Sequence, residues 1–297
     1  MKVLLATDGM PCSKPAEDLV AGTLWPKGTT IHLLTVIGPL YADGDLPSEV
    51  RQTIWSQATR GADQHLRILS ERMAGPGRKI ETATVDGRPA SKIVEEAKRL
   101  AVDLAVMGSR GRGTFAASLL GSVAAEVVDL ARCPVLVARS ARLGRILLAY
   151  DGSSEADVAA SLLETWPIFQ GLHARVVSVA PIEGVRVPAG LGPLRHEDAT
   201  ESYARAIDAV RVRWAGIAHE RALRLERAGV HAREDSPVGD AAEEIVRAAV
   251  ASESDLIVMG SHGRTGLPRL VLGGVARNVL IHAPCSVLIA RPASAAR

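Results

Sequence analysis

Leu104-Ala-Val-Met-Gly-Ser-Arg-Gly111 returns later in the chain as Leu256-Ile-Val-Met-Gly-Ser-His-Gly263. Downstream of each copy, in the same register, Arg132-Cys-Pro-Val-Leu-Val-Ala-Arg139 is matched by Pro284-Cys-Ser-Val-Leu-Ile-Ala-Arg291. Upstream, Val3-Leu-Leu-Ala-Thr-Asp-Gly9 is matched by Ile146-Leu-Leu-Ala-Tyr-Asp-Gly152. Solenoid repeats have periods of ~20–50 residues, so a unit this long is a whole domain. Because the glycines are repeated too, the copies share a backbone geometry and, with it, a candidate ligand site.

The 297 residues divide into a first domain over 1–140 and a second over 144–292. Halves of about 140–150 residues are the usual size for a domain with its own core. Apolar residues make up 47% of the chain and aromatics only 3%, so Val, Leu, Ile and Ala must fill the interior. A mean hydropathy of +0.13 fits a globular chain. A net charge of +2, with the arginines spread through helices, leaves no clustered basic face for nucleic acid. No apolar run approaches the ~18 residues of a membrane span. The amino terminus meets Asp8 too early for a signal peptide and reads as a strand. Three cysteines without a Cys-x-x-Cys pair fit a reduced, cytoplasmic setting. Cys133 and Cys285 are expected in the core, and Cys12 in a loop.

Short apolar runs alternate with helical stretches in both halves, the pattern of a parallel sheet with crossover helices. Strands are expected near 3–7, 30–36, 80–85, 104–107 and 135–138, and again near 146–150, 174–180, 230–234, 256–259 and 287–290. Helices fall near 13–24, 48–73, 90–101 and 122–131, then 154–166, 198–228, 240–251 and 274–282. Trp25-Pro26 and Trp166-Pro167 should end the first helix of each copy, since proline disfavours helix in the residue before it. The fold class is therefore α/β: two tandem domains, each an open parallel five-stranded sheet with helices on both faces. Gly/Pro-rich loops near 38–47 and 183–193 follow the second strands, and a short polar tail follows Arg291.

After the fourth strand of each half comes a glycine loop, Gly108-x2-Gly111-x9-Gly121-Ser122 and Gly260-x2-Gly263-x9-Gly273-Gly274. Each leaves the carboxyl end of a parallel strand, where open α/β sheets bind ligands. Each then enters a helix amino terminus, whose N–H groups and dipole favour an anion such as phosphate. Ser122 adds a hydroxyl that Gly274 lacks. Glycines are also what a tight strand-to-helix turn needs, so one copy alone is ambiguous; the identical spacing in two copies favours a nucleotide. There is no Gly-x4-Gly-Lys-Ser/Thr and hence no Walker loop. Gly111-x-Gly113-x-x-Ala116 matches a relaxed dinucleotide fingerprint, but it follows the wrong strand and its partner loop has Thr265 for the middle glycine. Asp8 and Asp151 close the first strands. A carboxylate there can orient a ribose hydroxyl or help hold Mg²⁺; the alternative is an Asx turn or cap.

With these residues in hand, the chain resembles a tandem universal stress protein of the ATP-binding branch. The resemblance rests on the Asp-Gly strand ends, the Met-Gly-Ser-x-Gly loops, the Gly-x2-Gly-x9-Gly spacing and the final Cys-x-Val-Leu strands. It implies the Rossmann-like fold of the adenine nucleotide alpha-hydrolases and ATP, with Mg²⁺, as cofactor. Adenine would lie against backbone near Ala6 and Val36 beside Asp8, and in the second half near Ala149 and Val179 beside Asp151. Phosphates would meet Gly108, Ser109, Arg110, Gly111, Gly121, Ser122 and Val123. In the second half they would meet Gly260, Ser261, His262, Gly263, Gly273, Gly274 and Val275, with Asp8 and Asp151 as metal candidates. The last strands, 135–138 and 287–290, are expected to pair within the chain; a further homodimer is common in such proteins.

No Ser–His–Asp set, carboxylate pair or metal cluster stands out, and His262 reads as a hydrogen-bonder or phosphate contact rather than a general base. The reading is an ATP-loaded stress sensor acting on an unknown regulatory protein, not an enzyme. The rivals are an ATP-hydrolysing or adenylating enzyme and a nucleotide-free dimerisation module.

Overall fold

The computed structural model describes residues 1–39, 47–109, 120–181, 196–263 and 272–292, with backbone alone for 196–204 and 206. Arg110, Gly111 and the two long loops expected after the second strands therefore lie largely or wholly outside the described residues, as does the tail from 293.

In the first half β1 (Lys2–Ala6), β2 (Thr29–Ile37), β3 (Arg78–Asp86), β4 (Leu104–Gly108) and β5 (Val135–Ala138) alternate with α1 (Lys14–Gly22), α2 (Ser48–Met73), α3 (Pro89–Leu100) and α4 (Ser122–Leu130). The second half repeats this with β6 (Arg145–Ala149), β7 (His173–Val177), β8 (His231–Asp235), β9 (Leu256–Gly260) and β10 (Ser286–Ala290). Its helices are α5 (Ser154–Thr165), α6 (His196–Arg227), α7 (Ala241–Ala251) and α8 (Gly274–His282), and a single 3-10 turn covers Pro167–Phe169.

Each half is a parallel sheet, and the two halves are one sheet. The order is β3-β2-β1-β4-β5-β10-β9-β6-β7-β8, ten strands in all. The join is the antiparallel pair β5–β10, with Leu136 opposite Leu288. The last strands thus pair within the chain, and both are already flanked, so neither offers an edge to a second copy. Alternate residues of the central strands feed two cores on opposite faces. Leu5, Val106, Leu148 and Val258 pack with α1, α2, α5 and α6; Leu4, Ala105, Leu147 and Ile257 pack with α3, α4, α7 and α8. Burial on both faces accounts for the nearly continuous apolar runs of these strands.

Two expected boundaries shift for local reasons. The first helix stops at Gly22 rather than at residue 24, because Thr23 turns extended while its hydroxyl donates to Leu19 O (2.7 Å). Trp25 then donates from Nε1 to Val20 O (2.8 Å). The strand expected over 174–180 ends at Val177, after which only an isolated bridge joins Ala180 to Val238. Cys285 is buried as expected, whereas Cys133 is only partly so; burial still pushes both thiols up to about 11.

Candidate functional site

All strands of a half point their carboxyl ends to one rim, and the β-strand–Asp-Gly turns and glycine loops meet there. Gly9 (φ +70) and Gly152 (φ +76) hold left-handed backbone at the two Asp-Gly turns, a conformation that would strain other residues. Beside Gly9 stands the His65 ring, 3.3 Å from where a Cβ would lie. His65 donates from Nε2 to Glu17 Oε1 (2.8 Å), and Thr7 donates to the same oxygen (2.6 Å). Glu17 occupies a buried position on the apolar face of α1, a place the residue's charge gave no cause to expect.

The second half builds the same wall from other chemistry. Tyr150 stands where the first half has Thr7, and its hydroxyl donates to Asp157 (2.6 Å). The buried Arg221 guanidinium donates to Tyr150 Oη (2.7 Å), to Glu164 (2.8 Å) and to Asp157, and lies 4.5 Å over the Tyr150 ring. Burial, with the hydrogen bond to Asp157, pushes the phenol above its ordinary range.

Asp8 and Asp151 are engaged by their own turns. Asp8 Oδ1 accepts from the Met10 amide (3.1 Å) and from the Ser13 hydroxyl, leaving Oδ2 without a partner among the described residues. Asp151 Oδ1 accepts from the amide (2.9 Å) and hydroxyl (2.6 Å) of Ser153. The Asx-turn alternative is thus realised through one oxygen of each carboxylate. The other oxygen of Asp151 reaches the glycine loop, since a Cβ on Gly263 would lie 3.0 Å from Oδ2.

The glycines divide by task. A Cβ on Gly108 would fall 2.4 Å from Cys12 O, and one on Gly260 2.7 Å from the Glu155 carbonyl carbon. These two therefore let α1 and α5 pack against β4 and β9, so their repetition has a packing cause whatever else they touch. At the other end of each loop the Gly121 N–H donates to Ser109 O (2.7 Å) and the Gly273 N–H to Ser261 O (2.9 Å). Those bonds close the neck of each loop and engage two amides that the sequence offers to phosphate.

The amides that follow are different. Helices α5 and α7 carry side-chain caps, from Ser153 to Ala156 and from Asp240 to Glu243. By contrast α4 and α8 start at Gly121 and Gly273 with no side-chain cap. Among the described residues nothing accepts from the N–H groups of Ser122, Val123 and Ala124, or of Gly274, Val275 and Ala276. Ser122, Gly274 and Val275 are exposed, Val123 half-buried, and the mouth of each helix is open. Ser261 is buried, its hydroxyl 3.1 Å from His262 Nδ1.

Where the sequence leads one to expect adenine, Ala6 and Ala149 are buried at the last positions of β1 and β6. Leu34 O accepts from the Thr7 amide and Val177 O from the Tyr150 amide (both 2.9 Å), so Val36 and Val179, two residues on, turn their main chain the same way. There the first strand has already ended. No described residue bonds the N–H or C=O of Val179. The hydroxyls of Thr35 and Ser178 donate to Thr7 O (2.9 Å) and Tyr150 O (2.6 Å), tying down the turn; neither was legible in the sequence. Among the described residues there is no group of three His, Cys, Asp or Glu side chains placed to hold a metal, and no helix long and apolar enough to cross a membrane.

Fold and rim together define a doubled α/β protein that brings a like Asp-Gly turn and glycine-loop neck to the carboxyl ends of the strands in each half. The sequence profile of the universal stress protein family matches residues 1–139 and again 143–291. The chain belongs to that family. A universal stress protein of Mycobacterium tuberculosis is 25% identical, with 97% of this chain and 94% of that protein covered. One from Thermus aquaticus is 35% identical over 49% of this chain and 97% of its own length. Among solved structures, a universal stress protein from Archaeoglobus fulgidus superposes with a TM-score of 0.63 at 20% identity, covering 98% of both chains.

Proposed function

We propose that this protein binds ATP at both rims and acts as a nucleotide-dependent regulator in a stress response, in the cytoplasm, rather than as an enzyme. The observation that carries the reading is the pair of uncapped helix mouths. Three amides at the start of α4 and three at the start of α8 have no acceptor among the described residues, at the end of a glycine loop. A phosphate chain satisfies such amides and the helix dipole together. Adenine would take the main-chain groups of Val36 or Val179, and the ribose the outer oxygen of Asp8 or Asp151. A Mg²⁺ ion would draw most of its ligands from phosphate and water, as that ion commonly does, with one carboxylate at most from each half. The regulatory reading is supported by what surrounds the phosphates. Ser261 is buried, and one oxygen each of Asp8 and Asp151 is engaged by its own turn, which makes these three poor candidates for nucleophile or base.

The test is to denature the purified protein and quantify adenine nucleotide per chain. About two ATP are expected. Ser122→Glu and Gly274→Glu place a carboxylate at an exposed first helical position, which suits the helix dipole but repels phosphate. Each should remove about one ATP without lowering the melting temperature of the nucleotide-free protein. No nucleotide, and no rise in melting temperature at saturating ATP (about 2.7 kcal/mol at 100 Kd), would overturn the proposal in favour of an interaction module.

A further inference from the structure

The two halves clasp each other through helix α4, and the clasp is one-sided. Asp129, near the carboxyl end of α4, accepts from Arg277 Nη2 at both carboxylate oxygens (2.8 and 3.0 Å). Its Oδ1 also faces the Leu272 amide at 3.4 Å. Arg277 stands in the first turn of α8, and its own amide bonds Gly273 O (2.9 Å). Leu272 is buried and immediately precedes Gly273, whose amide closes the neck of the second glycine loop. The backbone of Asp129 is fixed in turn by the second half, for Arg291 Nη2 donates to Val128 O (2.7 Å) and Asp129 O (3.2 Å).

The Asp129–Arg277 pair has no counterpart at the first loop. Aligning Gly121-Ser122 with Gly273-Gly274 puts Ala125 where α8 has Arg277, and Ile281 where α4 has Asp129. An alanine cannot donate and an isoleucine cannot accept. Among the described residues the neck of the first loop is closed by the Gly121–Ser109 bond, and that of the second is held in addition from the first half, through Asp129.

We infer that Asp129 is a positioning residue for the second nucleotide site, supplied by the opposite half of the chain, and that it makes the two sites unequal. It acts by holding Leu272 and the first turn of α8 in place before ligand arrives, which lowers the ordering cost of binding there. The same helix begins at the phosphate end of the first site with Ser122, so α4 physically joins the two. This inference rests on the nucleotide reading above for its consequence, but not for the clasp itself.

The experiment therefore has two readouts on the full-length protein. The first is ATP affinity by calorimetry in two backgrounds, Ser122→Glu to leave the second site and Gly274→Glu to leave the first. Asp129→Ala should weaken the second site about tenfold and the first by less than twofold. Asp129→Asn, which keeps an acceptor for the Leu272 amide, should fall between. The second readout is amide hydrogen exchange at Leu272 without nucleotide, which Asp129→Ala should accelerate at least tenfold while Gly121 is unchanged. Equal weakening of both sites would reduce Asp129 to a general interface residue and overturn the inference, as would unchanged exchange at Leu272. If neither background binds ATP yet exchange responds as stated, the clasp stands and the nucleotide reading falls.

Discussion

His32 illustrates how one side chain can carry a measurable pH response with no part in the rim. It lies on β2 with Nδ1 2.9 Å from Glu81 Oε2 on the neighbouring edge strand. Burial pulls its pKa below the ordinary 6.5; Glu81 opposes this, while Lys2, Arg99 and Lys79 add to it. The sign follows directly. Between the unfolded and folded pKa values the unfolded chain binds the extra proton, so stability falls as pH drops through about 6.5. Glu81 is itself lowered, chiefly by its hydrogen bond to Lys79, and so stays ionised near pH 6.5. Denaturant midpoints measured at pH 7.5 and 5.5 should differ more for the natural protein than for His32→Gln. Parallel behaviour of the two proteins would show that His32 titrates alike folded and unfolded.

At the scale of elements, helix α3 ends on a strained residue. Ala101 has φ 49 while its amide bonds Lys98 O (3.1 Å) and the Val102 amide bonds Ala97 O (3.1 Å), a Schellman-type stop built without glycine. Glu253 repeats it after α7 with φ 45, but there the side chain also pairs with Arg145 (2.6 Å). Left-handed backbone costs an alanine about 1–2 kcal/mol, and glycine loses part of that gain to its freer unfolded state. Ala101→Gly should therefore stabilise the protein by about 0.5–1 kcal/mol in equilibrium denaturation; a loss would mean that residue 101 is not left-handed in solution. The αL stop was not legible, because neither alanine nor glutamate signals it. What was legible had strong local causes: α2 runs over 48–73 as the pattern after Pro47 indicates, and the repeated glycine spacing located both loops. The tasks of those glycines were not. Gly108 and Gly260 answer to the backbones of Cys12 and Glu155, and the amides of Gly121 and Gly273 to Ser109 and Ser261. Contacts between segments this far apart leave no periodicity to read. Glu17, Arg221 and Asp129 escaped notice for the same reason: each is a charge whose partner lies on another element.

For the whole molecule, the doubled sequence becomes one body because each half finishes the other. Arg139, just after β5, donates to Leu280 O (2.5 Å) at the end of α8 and to Cys285 O (3.1 Å) just before β10. Arg291, just after β10, does the same for Val128 and Asp129 at the end of α4. Cations there satisfy the last carbonyls of a helix and its dipole. Arg291 is only 8% exposed, burial pulls the guanidinium below its ordinary range, and its Nε has no partner among the described residues. Two effects then compete in Arg291→Met. Removing a desolvated charge with an unsatisfied Nε is favourable, as replacing buried ions by apolar groups often is. Against it, two carbonyls at the α4 terminus lose a charged donor in a buried setting, where hydrogen bonds to charged groups contribute about 1.5–3 kcal/mol. The second effect should win, because only one side of the pair is being replaced and the carbonyls remain. The expected result is a loss of about 1–2 kcal/mol in denaturant unfolding, with the second half's own strands still paired through β10 and β9. If Arg291→Met proves as stable as the natural chain, the Arg291 guanidinium is not needed to hold the halves together, and the antiparallel β5–β10 ladder, Arg139 and the Asp129–Arg277 pair suffice.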